Sequence, residues 1–128
     1  MSAKKIRIAI VDDKQVVRDG LSLFLKIFQD LELAATASNG KEILALCATQ
    51  HFDVVLMDIV MPEMNGIEAT QLITKNYPHI AVIGLTSIYG DVDQRTAMLD
   101  AGAVACLPKN ASIQEIEQAI RRSKQTML

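Results

Sequence analysis

The sequence predicts an α/β domain built on a doubly wound parallel sheet, and three observations point there. Short apolar runs alternate with longer stretches of helical periodicity five times along the chain. Two of the runs, Val54-Val55-Leu56-Met57 and Ile80 to Leu85, are apolar without alternation, as strands covered on both faces are. Four of the runs also stop at a polar residue with chemistry of its own: Asp12, Asp58, Thr86 and, after Pro108, Lys109. Strand neighbours separated by a helix pair in parallel through right-handed crossovers, which stack helices on both faces.

Each element has its own signature. After the basic start Met1-Ser2-Ala3-Lys4-Lys5, Ile6 to Val11 forms the first strand. From Lys14 to Phe28, Val17, Leu21, Phe24 and Phe28, with Val16, Leu23 and Ile27 beside them, recur at three and four residues and predict a long amphipathic helix. Leu33 to Ala37 is a weak second strand closed by Ser38-Asn39-Gly40. Asn39 caps the second helix, with Glu42 reaching back to the cap, and Ile43, Leu44 and Cys47 form its buried face up to about Gln50. The third strand runs from Asp53 to Asp58. Asn65 and Glu68 repeat the cap at the third helix, which presents Ile67, Leu72 and Ile73 before Tyr77-Pro78 ends it. Ile80 to Leu85 is the fourth strand.

Asp91 to Ala101 predicts a fourth helix with a thin apolar face of Ala97, Met98 and Ala101, terminated by Gly102 and the loosest of the set. Val104 to Leu107 is the fifth strand, and Ser112 with Glu115 boxes the start of a fifth helix striped by Ile113, Ile116 and Ile120. From Arg121 to Leu128 the periodicity fades, which predicts a fraying end and the start of a linker.

The 128 residues, 50% hydrophobic and 22% charged, make one domain with a single core. With 13 basic and 15 acidic side chains the net charge is -2, so neither nucleic acid nor a lipid surface is a direct partner; any DNA binding belongs to another segment. No apolar run of about 18 residues and no signal peptide occurs, and we expect a cytoplasmic protein. Cys47 and Cys106 lie far apart in apolar surroundings and read as buried small hydrophobes, not as a disulfide or metal pair.

The strand ends converge at the carboxyl edge of such a sheet, where ligands bind. Asp12, Asp13 and Asp58 would repel one another there unless a cation sits among them. Hard carboxylate oxygens without His or Cys select Mg2+ or a similar ion. Taken alone, Asp12-Asp13 reads equally as a helix N-cap pair, Thr86 as a turn residue and Lys109 as a solvated charge. Together, metal, hydroxyl and ammonium would neutralise a phosphoryl group on Asp58 from three sides, with Asp58 the nucleophile that forms an acyl phosphate.

At this point the sequence resembles the receiver domain of bacterial two-component response regulators, over Ile6 to about Ser123. The motifs that carry the likeness are Val11-Asp12-Asp13, Leu56-Met57-Asp58 with Met61-Pro62 and Asn65-Gly66, Leu85-Thr86-Ser87, and Leu107-Pro108-Lys109. The resemblance implies a flavodoxin-like (βα)5 fold with strand order 2-1-3-4-5. It implies that Asp58 accepts phosphate from a sensor histidine kinase or from acetyl phosphate, and that Mg2+ (or Mn2+) is bound by Asp13, Asp58 and the backbone carbonyl of Val60, with Asp12 acting largely through water. Lys109-Asn110-Ala111-Ser112 is most similar to the NarL/FixJ branch, whose members carry a C-terminal helix-turn-helix DNA-binding domain; that domain lies outside these residues. The implied role is a switch in transcription regulation, with no catalysis beyond the domain's own phosphorylation and dephosphorylation.

Two departures from the family pattern stand out. Many receivers have an aromatic three residues before the lysine that swings inward with the threonine; here that position is Cys106, and Tyr89 is the nearby aromatic. The usual Lys-Pro is Lys109-Asn110, with the proline one residue earlier, so no cis peptide is expected after the lysine. Val60 and Ile88 are apolar where some members orient the attacking water, which predicts slow self-dephosphorylation.

Phosphorylation replaces one charge on Asp58 by roughly two. Thr86 and Lys109 would be drawn in, shifting Ser87 to Asp91 and the fourth helix. The output surface would be the fourth helix, fifth strand and fifth helix, or the first and fifth helices, and the outcome homodimerisation or release of an effector domain. Besides a flavodoxin-like cofactor carrier, two alternatives are an interaction module independent of phosphorylation and a phosphohydrolase of the haloacid dehalogenase type. The latter needs a second Asp two residues after the nucleophile, where this chain has Val60. A flavodoxin-like cofactor carrier would need a phosphate loop where Asp12-Asp13 would repel phosphate.

Overall fold

Residues 4–87 and 92–126 are described by the computed structural model. The expectations placed on Ile88, Tyr89 and Asp91 lie outside the described residues. Along the chain run β1 (Ile6–Val11), α1 (Gln15–Leu25), β2 (Leu31–Ala37), α2 (Gly40–Cys47), β3 (Val54–Asp58), α3 (Gly66–Asn76), β4 (Ala81–Thr86), α4 (Val92–Asp100), β5 (Ala105–Pro108) and α5 (Ile113–Thr126). The strands form one parallel sheet in the order β2-β1-β3-β4-β5.

The unbroken apolar runs follow from the two layers. Ile8, Ile10, Val54, Leu56, Ile83 and Leu85 pack with Phe24 and Leu25 of α1 and with Ile116 and Ile120 of α5. Ala9, Val11, Val55, Met57 and Val82 face the opposite layer with Ile43 of α2, Ile73 of α3 and Met98 of α4. Because neighbouring strand residues point to opposite faces and both faces are covered, β3 and β4 carry a polar residue only at their last positions, Asp58 and Thr86.

The predicted caps form. Asn39 Oδ1 accepts from Glu42 N and Asn65 Oδ1 from Glu68 N, each at 2.9 Å. Ser112 and Glu115 make a reciprocal box, with Glu115 N donating to Ser112 Oγ at 3.1 Å and Ser112 N to Glu115 Oε1 at 3.2 Å. The Glu42 carboxylate, expected on the cap residue's own backbone, instead accepts from Ser38 N and the Ser38 hydroxyl. Gly102 ends α4 at φ +115°, a conformation that costs glycine little, and its N–H donates to Leu99 O.

Several boundaries and faces differ from expectation. The first helix stops at Leu25 and β2 begins at Leu31, two residues before Leu33. Leu25 is buried, whereas Val16, Leu23 and Ile27 are exposed. Leu72 and Ile113, also assigned to buried faces, are partly exposed; Ala69 and Thr70 fill the inner face of α3. The sharpest correction is at the C-terminus: α5 continues to Thr126 instead of fraying from Arg121. Arg121 bonds Glu117 and Asp30 and lies over the Phe28 ring, Ser123 is buried, and Lys124 reaches Asp53, so polar anchors replace the missing apolar period.

Candidate functional site

The parallel arrangement delivers four of the singled-out residues to one edge. Asp12 follows the last residue of β1, Asp58 ends β3, Thr86 ends β4 and Lys109 follows β5. Asp58 is in register with Leu85, and Thr86 with Pro108, so adjacent strands terminate at one level. Asp12, Asp58 and Thr86 are almost completely buried.

Behind Asp58 the chain doubles back tightly. A Cβ at Gly66 would lie 2.2 Å from the Asp58 carbonyl oxygen, so only glycine lets α3 start there. Gly66 N donates to Ile59 O at 2.7 Å, and Glu63 in the same loop takes a left-handed φ of 68°. The Pro62 to Gly66 segment is therefore a brace that fixes the end of β3.

One carboxylate oxygen from each of Asp12, Asp13 and Asp58 lies within 4.8 Å of the other two. Lys109 Nζ stands 2.7 Å from Asp12 Oδ2 and 3.2 Å from Asp58 Oδ1. The other Asp58 oxygen, Oδ2, is buried without a hydrogen-bond partner among the described residues. Three carboxylates against two ammonium groups, Lys109 and the exposed Lys14 at 3.6 Å from Asp13 Oδ1, leave an excess of negative charge, and a buried acceptor without a donor fits a cation or a water bound to one. The donor set, all carboxylate oxygen, fits a hard divalent ion.

The electrostatics agree. Burial, reinforced by the neighbouring Asp12 and only partly offset by Lys109, pushes the Asp58 carboxyl up to about 6. Burial works against the charge of Lys109, yet the bonds and fields of Asp12 and Asp58 outweigh it and hold the ammonium above its usual range.

A cleft of about 360 Å3 opens over Asp58, lined also by Asp13, Val60, Ser87, Gln94 and Lys109. Val60 lies at its mouth, 63% exposed. Thr86 shares the edge, but its hydroxyl donates across to Leu107 O at 3.5 Å, and its carbonyl accepts from Lys109 N at 2.6 Å. Three neighbours went unread in the sequence. Lys14 N donates to Asp12 Oδ1 at 2.9 Å and Arg18 Nη1 to the Asp12 carbonyl at 2.6 Å, so Asp12 ties down the turn into α1, whose N-cap is Lys14, and belongs to the acidic cluster at once. Gln94 enters the cleft from the first turn of α4, where a polar residue on a helix start gave no hint of it. Cys106 is buried beside Gly84 and Met98, and burial raises its thiol pKa; both cysteines are free. The Lys109-Asn110 peptide is trans.

Comparison with known proteins places this geometry in context. The family described as response regulator receiver domain matches residues 8–121. Response regulator protein VraR of Staphylococcus aureus (strain NCTC 8325 / PS 47) is 37% identical over 118 residues, 92% of this chain and 56% of that protein. The chain thus spans about half the length of the curated relatives it matches. Among solved structures, response regulator ChrA of a heme-sensing two-component system is 32% identical with a TM-score of 0.80, covering 96% of this chain and 58% of that one. A DNA-binding response regulator of the LuxR family from Staphylococcus aureus is 26% identical with a TM-score of 0.85, covering 93% and 98%.

Proposed function

Because the chain belongs to the response regulator receiver domain family, we propose that Asp58 is its phosphoacceptor and that the cluster around it is its phosphorylation machinery. The observation that carries this reading is the buried, partnerless Oδ2 of Asp58, set beside Lys109 and two further carboxylates at the floor of an open cleft. An oxygen of Asp58 attacks the phosphorus of a phosphohistidine on a sensor histidine kinase, or of acetyl phosphate; the P–N or P–O bond to the donor breaks, and the donor keeps the electron pair.

Asp12, Asp13, Asp58 and the backbone carbonyl of Val60 would hold Mg2+ (or Mn2+), which when bound supplies positive charge against the phosphoryl oxygens. Lys109 supplies the second positive charge, and Thr86, by turning its hydroxyl away from Leu107 O, donates to a phosphoryl oxygen. Pulling Thr86 and Lys109 inward moves the strand ends that carry Ser87 and α4, and this displacement is the signal.

The domain is read as a switch with no substrate turnover, working in the cytoplasm, where its two free cysteines would stay reduced. No described helix is long and apolar enough to cross a membrane. The DNA-binding relative named above supports a role in transcription regulation, through the C-terminal helix-turn-helix effector that the family resemblance implies, reached beyond α5. The switch would act by changing effector contacts or homodimerisation.

Intact-mass measurement after acetyl phosphate, with and without Mg2+, tests the assignment. One phosphoryl adduct is expected, dependent on the metal and absent from Asp58→Asn. An adduct that persists in Asp58→Asn would move the phosphoacceptor elsewhere, and no adduct on the parent under any condition would leave an interaction module independent of phosphorylation.

A further inference from the structure

The fourth helix is fixed at one end and faces the phosphoacceptor cleft at the other. Its last turn is pinned to α3: Thr74 Oγ1 donates to Ala101 O at 2.9 Å, and a Cβ on Gly102 would come within 2.6 Å of Thr74 Cγ2. Ala103 N donates back to Met98 O at 3.0 Å and closes that end. In the middle, Met98 is buried over Gly84, where a Cβ would stand 2.8 Å from Met98 Cε, so the helix bears on the sheet through a flexible thioether. One turn before Met98, Gln94 lines the cleft of about 360 Å3 that also holds Asp58 and Lys109.

Among the residues lining that cleft, Gln94 is the one that α4 supplies. It is half-buried, and its carboxamide has no hydrogen-bond partner among the described residues. The carboxylate of Asp58 lies at the cleft floor, almost completely buried, below the reach of that carboxamide. A phosphoryl group on Asp58 would raise three strong acceptor oxygens and roughly one further negative charge into the cleft. Other routes from the site to α4 are poor. Thr86 directs its hydroxyl to Leu107 O on β5, and Cys106, buried beside Gly84 and Met98, has too short a side chain to carry a displacement outward.

We infer that Gln94 is a phosphoryl-binding residue through which α4 senses the state of Asp58 directly. Its carboxamide N–H donates to a phosphoryl oxygen, and α4 swings about its pinned last turn toward the cleft while Met98 rolls on Gly84. The bond forms only after modification, because only then do acceptor oxygens stand at the height of the carboxamide. A hydrogen bond to a charged acceptor is among the stronger ones, enough to hold a helix that has a single fully buried side chain of its own. The carboxamide oxygen stays open to the water of the cleft, so one residue ties the position of α4 to the lifetime of the adduct. This deepens the relay proposed above and rests on Asp58 being the phosphoacceptor.

Amide exchange with Mg2+ and excess acetyl phosphate present throughout provides the test, on the parent, Gln94→Glu and Gln94→Met. Both variants keep the length of the side chain and remove its donors, one with added charge and one without. Each protein is compared with its own unmodified state, and intact mass gives the fraction of Asp58 modified, so the comparison is made at equal occupancy. In the parent, modification should slow exchange over residues 92–100 about ten-fold, and in both variants that slowing should be lost. Slowing that survives in Gln94→Met overturns the proposal. A fully modified parent without slowing overturns it alone and leaves Asp58 the phosphoacceptor, whereas a parent that takes up no phosphoryl group overturns both.

Discussion

Lys109 Nζ lies closer to Asp12 Oδ2, at 2.7 Å, than to Asp58 Oδ1, at 3.2 Å. The only described ammonium bonded to the buried carboxylates is thus shared, and it leans toward the aspartate that leads into α1. Removing it in Lys109→Met leaves Asp12 and Asp58 buried beside Asp13 without a countercharge, which should destabilise the metal-free domain by about 3 kcal/mol. Thermal melts in chelator should fall by roughly 10 °C, and millimolar MgCl2 should restore more of Lys109→Met than it adds to the parent. Equal melting of the two proteins in chelator would show that the ammonium neutralises nothing.

The raised carboxyl of Asp58 makes stability depend on pH with a definite sign. Its folded-state value of about 6 stands above the ordinary 3.8, so the folded state holds the proton more tightly than the unfolded chain. The advantage is complete below about pH 4 and is lost as pH rises through 6. Asp58→Asn removes that dependence, so the variant should exceed the metal-free parent by about 2 kcal/mol at pH 7.5 and by little at pH 4. Urea titrations of both proteins across that range read the difference directly; a gap that widens toward acid would reverse the sign and refute the electrostatic account.

Met98 is the one fully buried side chain of α4, where Val92 and Leu99 are exposed, and it fills the space over Gly84 beside Cys106. Thr70 on α3 points its hydroxyl at the Met98 sulfur, 3.7 Å away. With so little else holding the helix to the sheet, Met98→Ala should cost about 3 kcal/mol. Its imprint should be local: amide exchange over residues 92–100 should accelerate far more than in β3, where both faces remain packed. Uniform acceleration across the sheet would mean that α4 does not open on its own.

Much of this was legible because burial on both faces of β3 and β4 forces long apolar runs, so that a polar residue there stands only where the strand ends. Asp58, Thr86 and Lys109 were found by that logic, and the caps at Asn39, Asn65 and Ser112 by side-chain chemistry alone. The faces of α1 were not, because Val16, Leu23 and Ile27 obey the same periodicity as core residues while lying about a third of a turn from Phe24 and Leu25. Periodicity reports that a helix has an apolar side, not whether its own sheet covers it. The run-on of α5 was hidden for the opposite reason: Arg121 and Lys124 anchor it through Asp30, Glu117 and Asp53, two of which are remote in sequence.

Val60 stands at the cleft mouth with an apolar side chain, where a polar one could hold water for attack on a phosphoryl group at Asp58. The sequence predicts a slow loss of that group from Val60 and Ile88, and the cleft adds a qualification: Gln94 lines it too and brings a carboxamide from α4. If water positioning limits hydrolysis, Val60→Gln should shorten the adduct lifetime about ten-fold, and Gln94→Leu should lengthen it, since general-base and water-orienting groups are worth at least that much. The decay of the phosphoryl adduct by intact mass, after rapid removal of acetyl phosphate, follows all three proteins, and the parent adduct should persist for minutes or longer. A parent half-life of seconds, or three indistinguishable decays, would place the limiting step away from the cleft mouth, in release of Lys109 and Thr86 from the phosphoryl oxygens.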